Sequence, residues 1–327
     1  MALLLLFFET HSQQLMKVLY PLLTIFLYFS FSCSESHKEN LDLDHNNSFS
    51  VKTINIALKP NKNVQAQRED EKKLGDAISL RIGIPVKITT PSSKPISEAG
   101  LANKTIDVGY VSSSDAISFA DNEVAEILVA GQHQSFTPEG QPYTGAYYYS
   151  VWLSLMDRPY KDISDLKGKS VAFSSRTSTS GYLIPSWDLI KKGLVPEGGS
   201  LKSFFGEDNI FYGTGYVSAV EQVLEGKAEA AAVSYYVYEK DKHLTLEQRN
   251  KLKIIQRQGP VASHTFCVRS SLPQKDQDLL KKTLISISQE EPDLSQSLFG
   301  GTLIGVDPVE HLKAPREAKS MVSTLEN

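Results

Sequence analysis

Apolar and polar positions alternate along the chain in blocks that predict strands and helices in turn. Residues 51–58 (VKTINIAL) are typical of a strand, and residues 69–80 (EDEKKLGDAISL) have the apolar spacing of a helix. Further strands are predicted over residues 84–88 and 105–111, and the serines of residues 112–115 (SSSD) can cap a helix that follows. This order of elements indicates an α/β domain with a largely parallel sheet.

A second block of the same kind begins at residue 147. Residues 147–156 (YYYSVWLSLM) predict a long strand rich in aromatic residues, and residues 170–173 predict a short buried one. The other predicted elements are strands over residues 124–129, 210–212, 228–233, 253–256 and 265–269, helices over residues 181–192, 216–224 and 246–252, and a final helical region from residue 274.

The sequence contains two α/β blocks, and its C-terminal segment is expected to rejoin the first block. This order predicts two lobes that are joined by two crossing strands. Each lobe is expected to be a mostly parallel sheet flanked by helices. Lobe 1 comprises residues 51–147 plus 260–327, and lobe 2 comprises residues 148–259. In such a fold the ligand lies in the cleft where the carboxyl ends of strands meet the N-termini of helices.

Composition and net charge restrict which ligands and partners the protein can bind. The net charge of −4 over 327 residues gives no global basic field, which argues against nucleic acid but allows a ligand held by neutral dipoles. Cys33 and Cys267 are the only two cysteines, and two cysteines far apart in sequence build neither a disulfide framework nor a metal cluster. We therefore predict no metal site and no cofactor.

The N-terminal region has the layout of an export signal. From Met16, the simplest true start, one lysine precedes an apolar run that ends in small residues before Cys33. We predict a lipoprotein signal over residues 1–33, lipidation of Cys33, a flexible tether over residues 34–50, and a periplasmic or cell-surface location. Because Ser30 is unusual in such a signal, plain secretion or an uncleaved anchor stays open.

A run of hydroxyl side chains between a predicted strand and a predicted helix is the strongest chemical signal. In residues 174–185 (SSRTSTSGYLIP), Ser178, Thr179 and Ser180 stand where backbone N–H groups and the helix dipole favour an anion, and Gly181 allows close approach of the backbone. A solvated capping loop is the alternative. The phosphate-binding pattern GxxxxGK[ST] is absent from the sequence, which argues against nucleotide hydrolysis.

This segment also carries a family resemblance. Residues 165–185 (DLKGKSVAFSSRTSTSGYLIP) resemble the central motif of the phosphonate, phosphite and phosphate-binding proteins of bacterial ABC transporters. The resemblance covers most of residues 51–290. It extends to residues 105–111 (TIDVGYV), 148–151 (YYSV), 212–217 (YGTGYV), 226–238 (GKAEAAAVSYYVY) and 264–272 (HTFCVRSSL).

The resemblance implies a type II periplasmic binding protein fold, whose lobes close on the ligand, and an ABC permease as partner of a monomeric protein. It places the phosphonate on Ser178, Thr179 and Ser180, with Tyr148 and Tyr216 as further contacts. The remaining residues that we predict to bind the ligand are Gly181, Tyr236, His264 and Tyr110.

Departures from the family pattern bear on the ligand. Tyr236 and His264 occupy the positions nearest to the acidic residues that meet an amine in family members that bind aminoalkylphosphonates. A further pocket tyrosine of the family is replaced within residues 92–94 (SSK). A smaller ligand without an amine, such as phosphite, methylphosphonate or phosphate, is therefore expected.

Three other functions stay open at this point. The same fold can report a ligand to a signalling partner, or bind a sulfonate or a small organic acid. An enzyme that uses Ser180 as a nucleophile is disfavoured, because the G-x-S-x-G context is missing. We therefore predict a transport protein without catalytic activity, with His264 as a hydrogen-bonding pocket residue and a surface loop as its alternative setting.

Overall fold

A computed structural model describes residues 49–59, 64–91, 94–240 and 243–325. The predicted signal region, Met16, Cys33 and nearly all of the predicted tether lie outside these residues. The strands are β1 (Ile54–Ala57), β2 (Val86–Thr89), β3 (Val108–Val111), β4 (Ala125–Gly131), β5 (His133–Phe136), β6 (Pro142–Gly145), β7 (Tyr147–Leu155), β8 (Val171–Phe173), β9 (Ile210–Tyr212), β10 (Ala230–Ser234), β11 (Leu252–Ala262), β12 (Thr265–Arg269) and β13 (Leu303–Ile304).

Helices follow most strands, as the sequence pattern predicts. They are α1 (Val64–Ile82), α2 (Lys94–Ala102), α3 (Ser113–Asp121), α4 (Ile184–Lys191), α5 (Leu201–Phe205), α6 (Tyr216–Leu224), α7 (Tyr236–Glu239), α8 (Leu246–Asn250), α9 (Gln274–Glu290), α10 (Pro292–Phe299) and α11 (Pro308–Ser323), with a 3₁₀ turn over Ile163–Leu166 and a π-helical turn over Thr179–Leu183. Among the described residues, none of these helices has the length and apolar character needed to cross a membrane.

Two sheets form the centre of the molecule. The first has six strands in the order β13-β4-β12-β3-β1-β2, and the second has five in the order β11-β7-β10-β8-β9. A separate hairpin pairs β5 with β6. The α/β fold class is confirmed, and the central strands β1, β3, β8, β10 and β12 are buried along most of their length.

The sheets are mixed, which corrects the prediction of mostly parallel sheets. In the first sheet β1 runs parallel to β2 and β3, whereas β12 runs antiparallel to β3 and β4. In the second sheet β10 and β9 run parallel to β8, whereas β7 runs antiparallel to β10 and β11. In the second sheet only β7, the long strand that enters the sheet, runs against β8, β9 and β10, whereas β11 leaves the sheet in the same direction as those three strands.

Separate apolar cores lie against the two sheets. Ile54, Ile56 and Phe266 belong to the core of the first sheet, and each is fully buried. In the second core the Trp152 ring lies 5.4 Å from the Phe173 ring and packs edge-on against it. Burial of such aromatic side chains contributes a large share of the apolar area that stabilises a core.

The C-terminal helix α11 contacts both parts of the molecule. Ala318 and Val322 join the core of the second sheet, whereas Leu312 packs in a cluster with Val111 and Phe119 near the first sheet. A helix that packs against both sheets cannot be assigned to only one of the two predicted lobes. The lobe boundaries given above therefore stay a prediction.

A buried ion pair fastens the centre of the first sheet. The Arg269 Nε donates to Asp107 Oδ1 at 2.8 Å, and both side chains are at least nine-tenths buried. The other carboxylate oxygen of Asp107 accepts the Asn55 N–H at 2.8 Å, so one side chain ties β1, β3 and β12 together. Removal of one partner leaves a buried charge without compensation, which is strongly destabilising.

The substitution Arg269→Met is expected to lower the free energy of unfolding by about 3–5 kcal/mol, because it leaves Asp107 charged in the core. Arg81→Met is a matched control, since its partner Glu290 is mostly exposed and such pairs contribute about 0–1 kcal/mol. Urea unfolding followed by circular dichroism measures both changes. Equal losses for the two variants would contradict this account of the first sheet.

Candidate functional site

A cavity of about 510 Å³ lies at the carboxyl ends of strands from both sheets. The residues that follow β1 and β3 line it from the first sheet, and those that follow β8 and β10 line it from the second. Three helices begin at its wall, with Ser113, Tyr216 and Tyr236 at their first positions. This is the position at which open α/β sheets bind their ligands.

The turn that follows β8 presents a helix N-terminus to the cavity. Ser178 is the N-cap, and its hydroxyl oxygen accepts the Gly181 N–H at 2.9 Å. The π-helical turn from Thr179 runs directly into α4, whose second residue is Pro185, a residue that fits the first turn of a helix. Because the first N–H groups of a helix have no partner within it, this end carries a partial positive charge.

Gly181 allows this turn to pack against β8. A Cβ atom at position 181 would lie 2.3 Å from the Ser174 Oγ and 2.4 Å from its Cβ. Ser174 is buried and donates its hydroxyl to the Ala232 carbonyl at 2.8 Å, so it has little room to move. Within the described chain Gly181 is not part of the cavity wall, and its predicted contact with a ligand stays a prediction.

The hydroxyls of the turn are held by neighbouring elements. The Ser180 Oγ lies 2.7 Å from the Tyr216 hydroxyl at the start of α6. The Thr179 Oγ1 is hydrogen-bonded to the Ser114 Oγ of α3, which belongs to the side of the first sheet. Both side chains are buried at the cavity wall, where a small oxyanion could exchange these bonds for bonds to itself.

Three tyrosines form an aromatic wall beside this turn. The Tyr148 and Tyr236 rings lie 6.4 Å apart, and the Tyr216 ring meets Tyr236 edge-on at 5.7 Å. Burial raises the pKa of Tyr148 and that of Tyr236 well above the usual value, with the neighbouring tyrosine hydroxyls adding to the shift. These phenols therefore stay neutral and able to donate at physiological pH.

His264 and Tyr110 line the cavity on the side of the first sheet. Their rings lie 5.6 Å apart, and the Tyr110 hydroxyl reaches the Phe299 carbonyl at 3.4 Å. Burial lowers the pKa of His264 well below its usual value, and Lys59 and His133 add to the shift. Burial likewise raises the pKa of Tyr110. Both side chains are therefore neutral hydrogen-bonding groups at pH 7.

The structure brings most of the predicted site residues together. Eight of the nine predicted ligand-binding residues line the cavity, and Gly181 lies behind it. The eight are Tyr110, Tyr148, Ser178, Thr179, Ser180, Tyr216, Tyr236 and His264. Their contact with a ligand stays a prediction.

Sequence reasoning missed another part of the wall. Lys59 and Glu98 line the cavity, as do Ser112, Ser113 and Asp115. The serines were interpreted only as helix caps, although they stand between a strand and a helix as the residues around Ser178 do. That shared position was the available signal. Glu98 and Lys59 carried no comparable signal, because their approach to the cavity depends on how α2 and β1 pack.

The cavity therefore combines neutral donors with a helix N-terminus. Such a set suits a small oxyanion, since hydroxyls and N–H groups can surround its oxygens without a full positive charge. Two carboxylates, Glu98 and Asp115, and one ammonium group, that of Lys59, also line the wall. The arrangement can hold an anion and has room for an organic substituent.

Comparison with known proteins identifies the class. Residues 56–311 match the family described as "ABC transporter, phosphonate, periplasmic substrate-binding protein". The match spans well over half of the chain, and the chain belongs to this family. The family resemblance carried by residues 165–185 is thereby confirmed. Its members are substrate-binding components of transporters, which are exported and work with an ABC permease.

Solved structures share the fold. The chain is similar to PhnD1 of Prochlorococcus marinus in complex with methylphosphonate, with 15% identity, a TM-score of 0.65 and coverage of 84% of this chain and 99% of that one. It is similar to a Xanthomonas citri protein bound to ATP, with 17% identity, a TM-score of 0.65 and coverage of 83% and 100%.

A third similar structure is a binding protein component of an ABC phosphonate transporter from Pseudomonas aeruginosa, with 17% identity, a TM-score of 0.63 and coverage of 83% and 87%. These likenesses confirm the predicted periplasmic binding protein fold.

His133 supports the aromatic wall from behind. Its Nδ1 lies 3.0 Å from the Tyr235 hydroxyl, and its ring lies 4.8 Å from the ring of Tyr148. Burial lowers the pKa of His133 to about 4, and the charge of Lys240 adds to the shift. The folded protein therefore holds this imidazole neutral over a range of pH in which the unfolded chain takes up a proton.

Acidification is expected to destabilise the protein through His133. Since the unfolded pKa is about 6.5 and the folded one is lower, the contribution to stability is complete above pH 6.5 and is lost as the pH falls toward 4. The loss is on the order of 3 kcal/mol. Thermal unfolding of the wild type and of His133→Gln between pH 7.5 and 4.5 measures it. An equal pH dependence in the two proteins would contradict this assignment.

Proposed function

We propose that the protein captures a phosphorus oxyanion in the cavity between its two sheets and delivers it to an ABC permease for import. The ligand would be phosphite, methylphosphonate, phosphate or another phosphonate. The observation that carries this proposal is the set of hydroxyls of Ser178, Thr179 and Ser180 at a helix N-terminus that borders the cavity. An anion at such a position is stabilised by N–H groups and the helix dipole.

Selectivity follows from the number of neutral donors. The hydroxyls of Ser180, Tyr216 and Tyr148 lie close to one another at the wall, and each can turn a donor toward an oxygen of the ligand. A ligand that lacks one of the oxygens would leave buried donors without a partner, which costs affinity. A tetrahedral oxyanion is the small ligand that best matches donors arriving from several directions.

The organic part of the ligand would extend toward the first sheet. The cavity is far larger than a bare oxyanion needs, given that one water occupies about 30 Å³ in the liquid. Leu58 and Phe119 add apolar surface there, and Glu98 and Asp115 add carboxylates. An aminoalkylphosphonate is thus a competitor of the amine-free ligands, although Tyr236 and His264 are not acidic.

The similar structures support a phosphorus-containing ligand. One was solved with methylphosphonate and another with ATP, and both carry phosphorus oxyanion groups. At identities of 15% and 17% they share only the fold with this chain, and the residues of its own cavity support the proposed ligand.

The site is better suited to binding than to catalysis. The Ser180 hydroxyl is paired with the hydroxyl of Tyr216. A nucleophilic serine needs a base such as histidine or a carboxylate as its partner. We also propose that the protein acts as a monomer and is anchored in the membrane by lipidated Cys33, a residue outside the described part of the chain.

Isothermal titration calorimetry of the purified full-length protein with phosphite, methylphosphonate, phosphate, 2-aminoethylphosphonate and sulfate tests the proposal. One phosphorus oxyanion is expected to bind tightly. Ser180→Ala is expected to weaken that binding by about 10- to 100-fold, because a hydrogen bond to a charged group contributes about 1.5–3 kcal/mol.

Ser203→Ala serves as the matched control, since Ser203 is exposed and its hydroxyl bonds only to the Ser200 carbonyl among the described contacts. It should leave the affinity unchanged within about twofold. Tight binding of sulfate alone, or equal affinity of the Ser180 and Ser203 variants, would overturn the proposal.

A further inference from the structure

A second helix N-terminus borders the cavity from the side of the first sheet. Helix α3 begins at Ser113, directly after β3, and Ser112 is its N-cap. Asp115 closes a capping box, since its Oδ2 accepts the Ser112 backbone N–H at 3.3 Å and also the Ser112 hydroxyl at 2.7 Å. Residues 112, 113 and 115 line the cavity opposite the turn at Ser178. Two helices from different sheets thus direct their positive ends at one space.

One hydrogen bond links the two helix starts. The Ser114 Oγ at the beginning of α3 is bonded to the Thr179 Oγ1 at the beginning of the π-helical turn. These residues are 65 positions apart and belong to helices that follow strands of different sheets. The bond therefore crosses the cleft. A ligand bound between these two hydroxyls would contact both sides of the cleft at once.

Ser113 has a hydroxyl that the fold itself does not use. Its side chain is 1% exposed, it lines the cavity, and within the described residues its Oγ has no hydrogen-bond partner. A buried hydroxyl without a partner is destabilising. The capping box explains Ser112 and Asp115 but leaves Ser113 without a structural role.

We propose that Ser113 and Ser114 form the second half of the oxyanion site. The inference rests on the proposed function of the cavity and assigns its contacts on the first sheet. Ser113 donates to one oxygen of the anion, and Ser114 and Thr179 exchange their mutual bond for bonds to the ligand. The anion then lies between two helix N-termini and contacts both sides of the cleft.

Substitution of Ser113 distinguishes a role in ligand binding from a role in protein stability. Because Ser113 Oγ has no partner within the described protein, Ser113→Ala should not lower the temperature of thermal unfolding. It should nevertheless weaken binding of the preferred phosphorus oxyanion by about 10- to 100-fold, since a hydrogen bond to a charge is lost. Ser114→Ala should also weaken the binding of this ligand.

The test is calorimetric titration of the full-length variants with phosphite, methylphosphonate and phosphate, together with thermal unfolding of each. Ser118→Ala is the matched control, because Ser118 lies on the same helix as Ser114 but, among the described residues, neither lines the cavity nor bonds to a residue across the cleft as Ser114 does. Its affinity should stay within about twofold of the wild type.

The outcomes separate this inference from the proposed function. If Ser113→Ala and Ser114→Ala bind like Ser118→Ala while Ser180→Ala loses binding, the second half of the site is overturned and the proposed function stands. If the wild type binds neither these three anions nor 2-aminoethylphosphonate, both are overturned. A drop in unfolding temperature without a change in affinity would assign Ser113 to structure and would also overturn the inference.

Discussion

The site depends on the close packing of one turn against one strand. The turn from Ser178 to Leu183 reaches β8 because position 181 has no side chain, and a Cβ atom there would collide with Ser174. That contact fixes the direction of the helix that continues through α4. Its N-terminus, with the hydroxyls of Thr179 and Ser180, is thereby held at the wall of the cavity rather than in solvent.

Neutrality is the second physical feature of the site. Burial keeps the phenols of Tyr148 and Tyr236 protonated and the imidazole of His264 unprotonated, so these groups offer hydrogen bonds rather than charge to the cavity. A site of this kind ranks ligands by the number and direction of their acceptors. In the proposed function, such a site lets a chain with net charge −4 hold an anion.

Much of this could be predicted because local patterns set it. The position of the hydroxyl run at residues 174–180 between a strand and a helix, and the order of strands and helices, depend on neighbouring residues. The structure shows both as predicted. The antiparallel direction of β12 and the place of α11 on both sheets depend on contacts distant in sequence, which periodicity does not encode. For the same reason Glu98 was not placed in the cavity, and Ser113 was interpreted only as part of a cap.

The most direct measurement is a crystal structure of the full-length protein grown with the phosphorus oxyanion that it binds most tightly. The account predicts the phosphorus group inside the cavity, with its oxygens about 2.5–3.0 Å from the hydroxyls of Thr179 and Ser180. A ligand bound elsewhere, or bound in the cavity without contact to residues 178–180, would contradict the central claim.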